Sequence, residues 1–85
     1  MINNIVLTGY FIEFENDNLL LKIDSCENHQ IVKILINKLI RKEIKKRFKV
    51  NDLIGIKGYI RIDNNNNNDN KAIIIATNIS FLSNK

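Results

Sequence analysis

The sequence contains no proline, no tryptophan and only one cysteine among its 85 residues. The single cysteine, Cys26, cannot form an internal disulfide, which favours a reducing, cytoplasmic location. No stretch is long and apolar enough for a signal peptide or a bilayer span, so we expect no contact with membranes. The chain is therefore expected to depend on a hydrophobic core for its stability.

The sequence also lacks the residue groups that catalysis requires. His29 follows Cys26 and Glu27, but structural zinc needs four ligands and catalytic zinc needs three with an open position. A Cys–His pair alone has neither an orienting group nor oxyanion donors. No glycine-rich phosphate loop or pair of catalytic carboxylates is present. We expect a protein that is not an enzyme and that binds no metal or cofactor.

Length and charge favour a small binding protein. With 85 residues, 45% of them hydrophobic and 26% charged, the chain has the composition of one folded domain spanning residues 1–85. Its net charge of +4 and pI near 9.4 favour a polyanionic partner. The many Ile, Lys and Asn residues have AT-rich codons, so genome composition is a second explanation for part of this charge.

The apolar pattern predicts three strands, a helix and two further strands. The predicted strands are 4–14, 19–24, 31–36, 53–63 and 71–82, and the predicted helix is 38–48. The asparagine run indicates a flexible loop at 63–70. Five strands with one helix between the third and fourth are typical of the all-β OB-fold barrel. An open α+β sandwich is the alternative.

The fourth predicted strand carries the clearest candidate site. Its inward positions are predicted to be Ile54, Ile56, Gly58, Ile60 and Ile62. Its outward positions are Lys57, Tyr59 and Arg61, which combine cations for phosphates with a ring for base stacking. An ordinary solvent-exposed strand face would show the same pattern.

Other residues complete this prediction. Tyr10 on the first strand and Lys33 on the third are expected to extend the binding surface. The phenylalanines are expected in the core rather than as stacking platforms, because buried phenylalanine is the commoner case; they are Phe11, Phe14 and Phe81.

Three segments resemble the bacterial single-stranded DNA-binding protein family. Residues 3–11 (NNIVLTGYF) are similar to its first strand, residues 48–60 (FKVNDLIGIKGYI) to its helix end and fourth strand, and residues 76–82 to its final strand. The resemblance implies an OB fold, non-sequence-specific binding of single-stranded DNA, and a homodimer or homotetramer formed through the first strands.

The sequence departs from the family at its stacking aromatics. Asn37 stands where the family has a tryptophan, which makes it a candidate nucleic-acid contact, while Glu43 and about Asn65 replace two other aromatics. Only 83–85 follow the last strand, so we expect a shortened member without the family's acidic tail. Replication, recombination or repair is the expected process. The alternatives are a protein-interaction or primosome accessory module with little DNA binding, and a binder of single-stranded RNA.

Overall fold

The computed structural model describes residues 4–24, 29–64 and 70–81, and it contains five strands and one helix. The elements are β1 (Ile5–Glu15), β2 (Asn18–Asp24), β3 (His29–Leu35), α1 (Lys38–Arg47), β4 (Leu53–Asn64) and β5 (Asn70–Phe81). The predicted order is confirmed, and the boundaries shift by at most two residues. His29, which precedes the predicted third strand, begins β3. Cys26 and Glu27 lie outside the described residues.

The strands close into a barrel in the order β1-β2-β3-β5-β4. Neighbouring strands are antiparallel except β3 and β5, which pair in parallel through Ile34 with Ile74 and Leu35 with Ile75. This parallel contact closes the barrel and uses the apolar run 73–75. The predicted five-stranded barrel is therefore confirmed, and the open sandwich is wrong.

The core fills the barrel and extends under the helix. Its buried hydrophobic residues are Phe11, Leu19, Leu21, Ile34, Ile36, Ile40, Ile44, Phe48, Ile54, Ile56 and Ala76. Helix α1 contributes Ile40 and Ile44, with Phe48 at its C-cap, because this spacing places all three on one face. The helix thereby covers one end of the barrel.

The two phenylalanines of β1 lie in or against this core. Phe11 is buried, and Phe14 packs partly buried beside it with ring centroids 5.2 Å apart. Both agree with the sequence-based expectation. The side chain of Phe81 lies outside the described part of the chain.

A close backbone contact fixes β4 against β5. The register shifts between Lys57 and Gly58 because Thr77 is an extra residue in β5, and its hydroxyl donates to the Lys57 carbonyl at 3.1 Å. A Cβ atom on Gly58 would lie only 1.9 Å from the carbonyl oxygen of Ile75. Glycine is required here because no side chain fits between the two strands.

The far end of the β4–β5 hairpin extends past the rest of the barrel. Among residues 4–24, 29–64 and 70–81, pairing between β1 and β4 ends at Ile5 and Gly58, whereas β4 and β5 continue to pair as far as Asn64 and Asn70. Ile62, which we predicted to face inward, is 58% exposed. The prediction was wrong because the core formed by the described residues does not extend beneath this part of the hairpin. The predicted flexible loop overlaps both strand ends, and residues 65–69 lie outside the described residues.

Candidate nucleic-acid interface

One outward-facing surface crosses the three strands β3, β5 and β4. Tyr59 pairs with Ile75, and Ile75 pairs with Leu35 on the other side. One step along the hairpin, Arg61 pairs with Ile73. Directly paired residues project from the same face of a sheet. We call this the strand surface; its members are Lys33, Leu35, Tyr59, Arg61, Ile73 and Ile75.

The strand surface combines an apolar strip with a ring and cations. Leu35, Ile73 and Ile75 are half-buried, and Tyr59 is 39% exposed beside them. A shallow groove runs between β3 and β5; its lining residues are Asn18, Lys33, Leu35, Lys71, Ala72 and Ile73. Such a surface can support a stacked base while lysines at its edge contact phosphates.

Lys33 reaches this groove but already has an acidic neighbour. Its Nζ lies 3.1 Å from Oε1 of Glu15, and both side chains are at least half exposed. An exposed pair of this kind contributes at most about 1 kcal/mol, because water screens both charges. Lys33 can therefore exchange the carboxylate for a phosphate at small cost.

Lys57 lies on the same strand as Tyr59, two residues before it, and is exposed. Its pairing partners are Val6 on β1 and Asn78 on β5. The Thr77 bulge separates this row from the Tyr59 row. The predicted triplet of Lys57, Tyr59 and Arg61 is thus brought together along β4, with Lys57 at its inner end.

Tyr10 belongs to a different part of the barrel. It pairs with Leu53 at the start of β4 and with Lys22 on β2. Leu53 precedes Tyr59 by six positions, which corresponds to about 20 Å along an extended strand. The structure therefore places Tyr10 in a second row with Lys22 and the exposed Ile31, far from Tyr59 along β4. This row borders the strand surface on β3, where Ile31 precedes Lys33 by two residues.

Asn37 stabilises the start of helix α1. Its Oδ1 accepts a hydrogen bond from the backbone N–H of Ile40 at 2.8 Å, which makes it the N-cap of α1. Its role as a nucleic-acid contact stays a prediction.

Arg41 anchors the β1–β2 turn to the helix. Its guanidinium donates to the carbonyl of Asn16 and lies 4.6 Å from the centre of the Phe14 ring. Asn16 itself has a φ of 56°, a left-handed conformation that asparagine tolerates. The contact holds the turn that precedes Asn18, at the end of the groove. No local sequence pattern indicates it, because Arg41 and Asn16 are distant along the chain.

Comparison with known proteins identifies the fold. No family model matches the sequence, and no curated protein matches it significantly. Among solved structures, the mitochondrial single-stranded DNA-binding protein Rim1 of S. cerevisiae superposes with a TM-score of 0.78 at 9% identity, covering 100% of this chain and 98% of Rim1. The fold is an OB barrel.

Two other SSB-type barrels also resemble the chain over nearly its whole length. The Plasmodium falciparum SSB, solved with single-stranded DNA, has a TM-score of 0.68 at 17% identity, covering 98% of this chain and 96% of that one. The N-terminal domain of PriB from Thermoanaerobacter tencongensis has a TM-score of 0.68 at 19% identity, covering 96% and 98%. At these identities the likeness establishes the fold.

Closure of the barrel also brings in residues that the sequence did not single out. Leu35, Ile73 and Ile75 supply the apolar strip, and Lys71 supplies a further cation at the groove. The continuous apolar run 73–75 and the consecutive apolar residues Ile34 and Leu35 do not alternate, so the sequence did not show which of them face outward. The position of the apolar strip beside Tyr59 depends on the parallel β3–β5 contact, which no local pattern reveals.

Metal-binding and membrane-spanning features are absent from residues 4–24, 29–64 and 70–81. No three His, Cys, Asp or Glu side chains in this part of the chain come close enough to hold a metal ion. Among the same residues, no helix has both the length and the apolar character to cross a bilayer.

Proposed function

We propose that this chain binds single-stranded DNA without sequence specificity, in DNA replication, recombination or repair. The observation that carries the proposal is the strand surface, where Tyr59 is paired with the apolar Ile75 and has the exposed Lys57 and Arg61 two residues to either side of it along β4. Lys33 adds a cation across the apolar strip, on β3. Single-strand binding requires stacking platforms and cations but no base-reading geometry.

The structural neighbours support this proposal. Rim1 is a single-stranded DNA-binding protein, and the Plasmodium protein was solved in complex with single-stranded DNA. Both share the barrel on which the strand surface is built. The net charge of +4 fits the same class of partner.

The binding mode follows from the chemistry of the surface. A base stacks on the Tyr59 ring, which contributes about 1–3 kcal/mol. Phosphates on either side meet Lys33, Lys57 and Arg61, and each lysine or arginine contact releases a counterion. With one ring on this surface, we expect micromolar affinity that falls steeply as salt rises. Binding alone, without a catalytic step, is the proposed activity.

We also propose the setting of this activity. The chain acts as a single OB-fold domain spanning residues 1–85, in the cytoplasm, as a homodimer or homotetramer. Symmetric assembly would bring several copies of the strand surface onto one DNA strand and raise its avidity. The N-terminal domain of PriB, one of the structural neighbours, is dimeric, which supports the smaller of the two assemblies.

A fluorescence-anisotropy titration tests the proposal. Labelled oligothymidylate and a duplex of equal length, about 16 nucleotides, are titrated with the protein at low salt. We expect the single strand to bind at least about tenfold more tightly, because a duplex cannot offer its base faces to Tyr59. Equal affinity, or a preference for the duplex, would refute the proposal.

A matched oligouridylate in the same titration separates DNA from RNA. The strand surface has no feature that recognises or excludes a 2′-hydroxyl, so RNA is the closest competing ligand. An affinity for RNA at least about ten times higher would reassign the function to RNA binding.

A protein-interaction module is the second candidate function. The observation that favours it is that Tyr59 is the one aromatic member of the strand surface. Each aromatic ring adds stacking energy to single-strand binding, so a surface with one ring holds nucleic acid weakly. If this candidate is correct, an oligonucleotide will not compete with the partner for the strand surface.

A further inference from the structure

The outer face of α1 carries a dense group of lysines. Lys38, Lys42, Lys45 and Lys46 are all exposed, and we call them the lysine face. Glu43 is the one acidic residue of the helix. Within the described part of the chain, none of the four lysines forms an ion pair, whereas Glu43 pairs with Arg47 at 3.1 Å.

The lysine face points directly away from the barrel. Successive helical residues are separated by about 100°, which places Lys38, Lys42 and Lys45 within about 60° of one another. The buried residues Ile40 and Ile44 lie on the opposite side. The lysines therefore project into solvent together, where a long anion can approach all of them at once.

Lys38 and Lys42 cost the helix stability, whereas Lys45 and Lys46 stand in its last turn, where the helix dipole favours cations. Lys38–Lys42 and Lys42–Lys46 are like-charge pairs at spacing i,i+4, each unfavourable by about 0.2–0.5 kcal/mol. Lys38 also stands in the first turn, where the helix dipole disfavours a cation. An anionic ligand would remove both penalties.

The lysine face is continuous with the strand surface. Strand β3 ends at Leu35, within the strand surface, and Lys38 begins α1 after only two intervening residues. Those residues are Ile36, which is buried, and Asn37, which is exposed. Asn37 and Lys38 line one recess with Asp17, immediately beside Asn18 of the groove. A strand leaving the groove at this end reaches Lys38 next.

We propose that the lysine face is a second contact region for the same nucleic acid, which binds the phosphates of a strand that continues past Leu35. This inference rests on the proposed function and extends the binding path from the barrel to the helix. The lysine face carries no ring, so it contributes charge contacts and no stacking. Short strands fill the strand surface alone, and longer strands reach the helix.

The test compares salt dependence on short and long oligothymidylates, of about 5 and about 16 nucleotides. The variant is the triple substitution Lys38→Gln, Lys42→Gln, Lys45→Gln. Each lysine contact to a single strand contributes about 0.7 to the slope of log K against log salt. We expect the slope for the long strand to fall by about 2, and the slope for the short strand to stay unchanged.

Arg47→Gln is the matched control, because it removes a cation from the same helix that Glu43 already neutralises. It should leave both slopes unchanged. The triple variant loses the repulsion between Lys38 and Lys42 but also the favourable dipole interaction of Lys45, so its Tm should stay within about 4 °C of the parent value, which is checked by thermal unfolding.

The outcomes separate this inference from the proposed function. If the parent protein binds neither oligonucleotide, the proposed function itself fails. If it binds both and the triple substitution leaves the long-strand slope unchanged, only the helix contact is refuted. Titration with polyglutamate adds a third arm. If the triple variant loses affinity for this acidic peptide but not for the long strand, the lysine face binds acidic protein instead and the inference is overturned.

Discussion

The strand surface and the lysine face present cations in two physically different ways. On β4, Tyr59 and Arg61 are held by hydrogen-bonded pairing with β5, and apolar side chains lie between the cations. On α1, four flexible lysines project from a helix whose opposite side is buried. The first surface can hold a base ring in a fixed orientation, while the second can only follow a flexible chain of phosphates.

The difference shows what each kind of contact requires from the fold. Stacking depends on a ring kept in place, so it is sensitive to strand register. Lysine contacts tolerate movement, but each ordered lysine loses up to about 2 kcal/mol of side-chain entropy, which limits its net contribution. The strand surface should therefore determine most of the affinity, and the lysine face should add to the salt dependence only for strands long enough to reach it.

The largest expected effect comes from Gly58→Ala, which acts on the backbone beneath the strand surface. The added Cβ would lie 1.9 Å from the Ile75 carbonyl oxygen, so β4 and β5 must separate next to the Tyr59–Ile75 pair. We expect a loss of at least about 3 kcal/mol in the free energy of unfolding, measured by urea denaturation. No residue of the lysine face should be this sensitive.

Gly9→Ala is the graded control for this substitution. Its Cβ would meet the Lys22 carbonyl oxygen at 3.0 Å and Leu21 Cβ at 3.1 Å, so small shifts relieve the contact. The expected cost is about 1 kcal/mol. If the two alanine substitutions lower the free energy of unfolding equally, the close contact between β4 and β5 at Gly58 does not restrict side chains more than the contact at Gly9.

An intermediate effect is expected when the two tyrosines are compared. Tyr59→Ala should weaken oligothymidylate binding by about 1–3 kcal/mol, which corresponds to roughly 5- to 150-fold in Kd. Tyr10→Ala, in the row with Lys22, should change Kd by less than about threefold, because that row lies outside the strand surface. Anisotropy titrations of both variants measure the difference.

Tyr59→Phe completes this comparison, since it keeps the ring and removes the hydroxyl. It should bind like the parent if stacking is the contribution of Tyr59. A larger loss for Tyr10→Ala than for Tyr59→Ala would move the binding surface to the β1–β2 side of the barrel.

The smallest effect concerns Asn37, which lies between the two surfaces. Asn37→Ala removes the cap on the Ile40 N–H and should cost about 1 kcal/mol, a decrease of about 4–8 °C in Tm. Asn37→Ser keeps a capping oxygen and should restore most of this stability. If the serine variant is stable but binds the long strand at least about tenfold more weakly, Asn37 contacts nucleic acid directly.

The sequence revealed the strands that carry the site, but it revealed little about which residues of different strands lie side by side. Alternation along β4 correctly placed Lys57, Tyr59 and Arg61 on the outside, because a strand has a period of two. The same rule failed at Ile62, since alternation reports which face a residue occupies and not whether a core lies beneath it. Tyr10 was expected to extend the surface around Tyr59, but it pairs with Leu53 at the start of β4.

By itself, the sequence determined the order of three strands, a helix and two strands, because local periodicity and turn residues carry that information. It also determined a basic, aromatic-poor exterior. Only the tertiary structure decided that Leu35 and Ile75 meet and complete the surface around Tyr59. That contact joins residues far apart in the chain through barrel closure, and closure is a property of all five strands together.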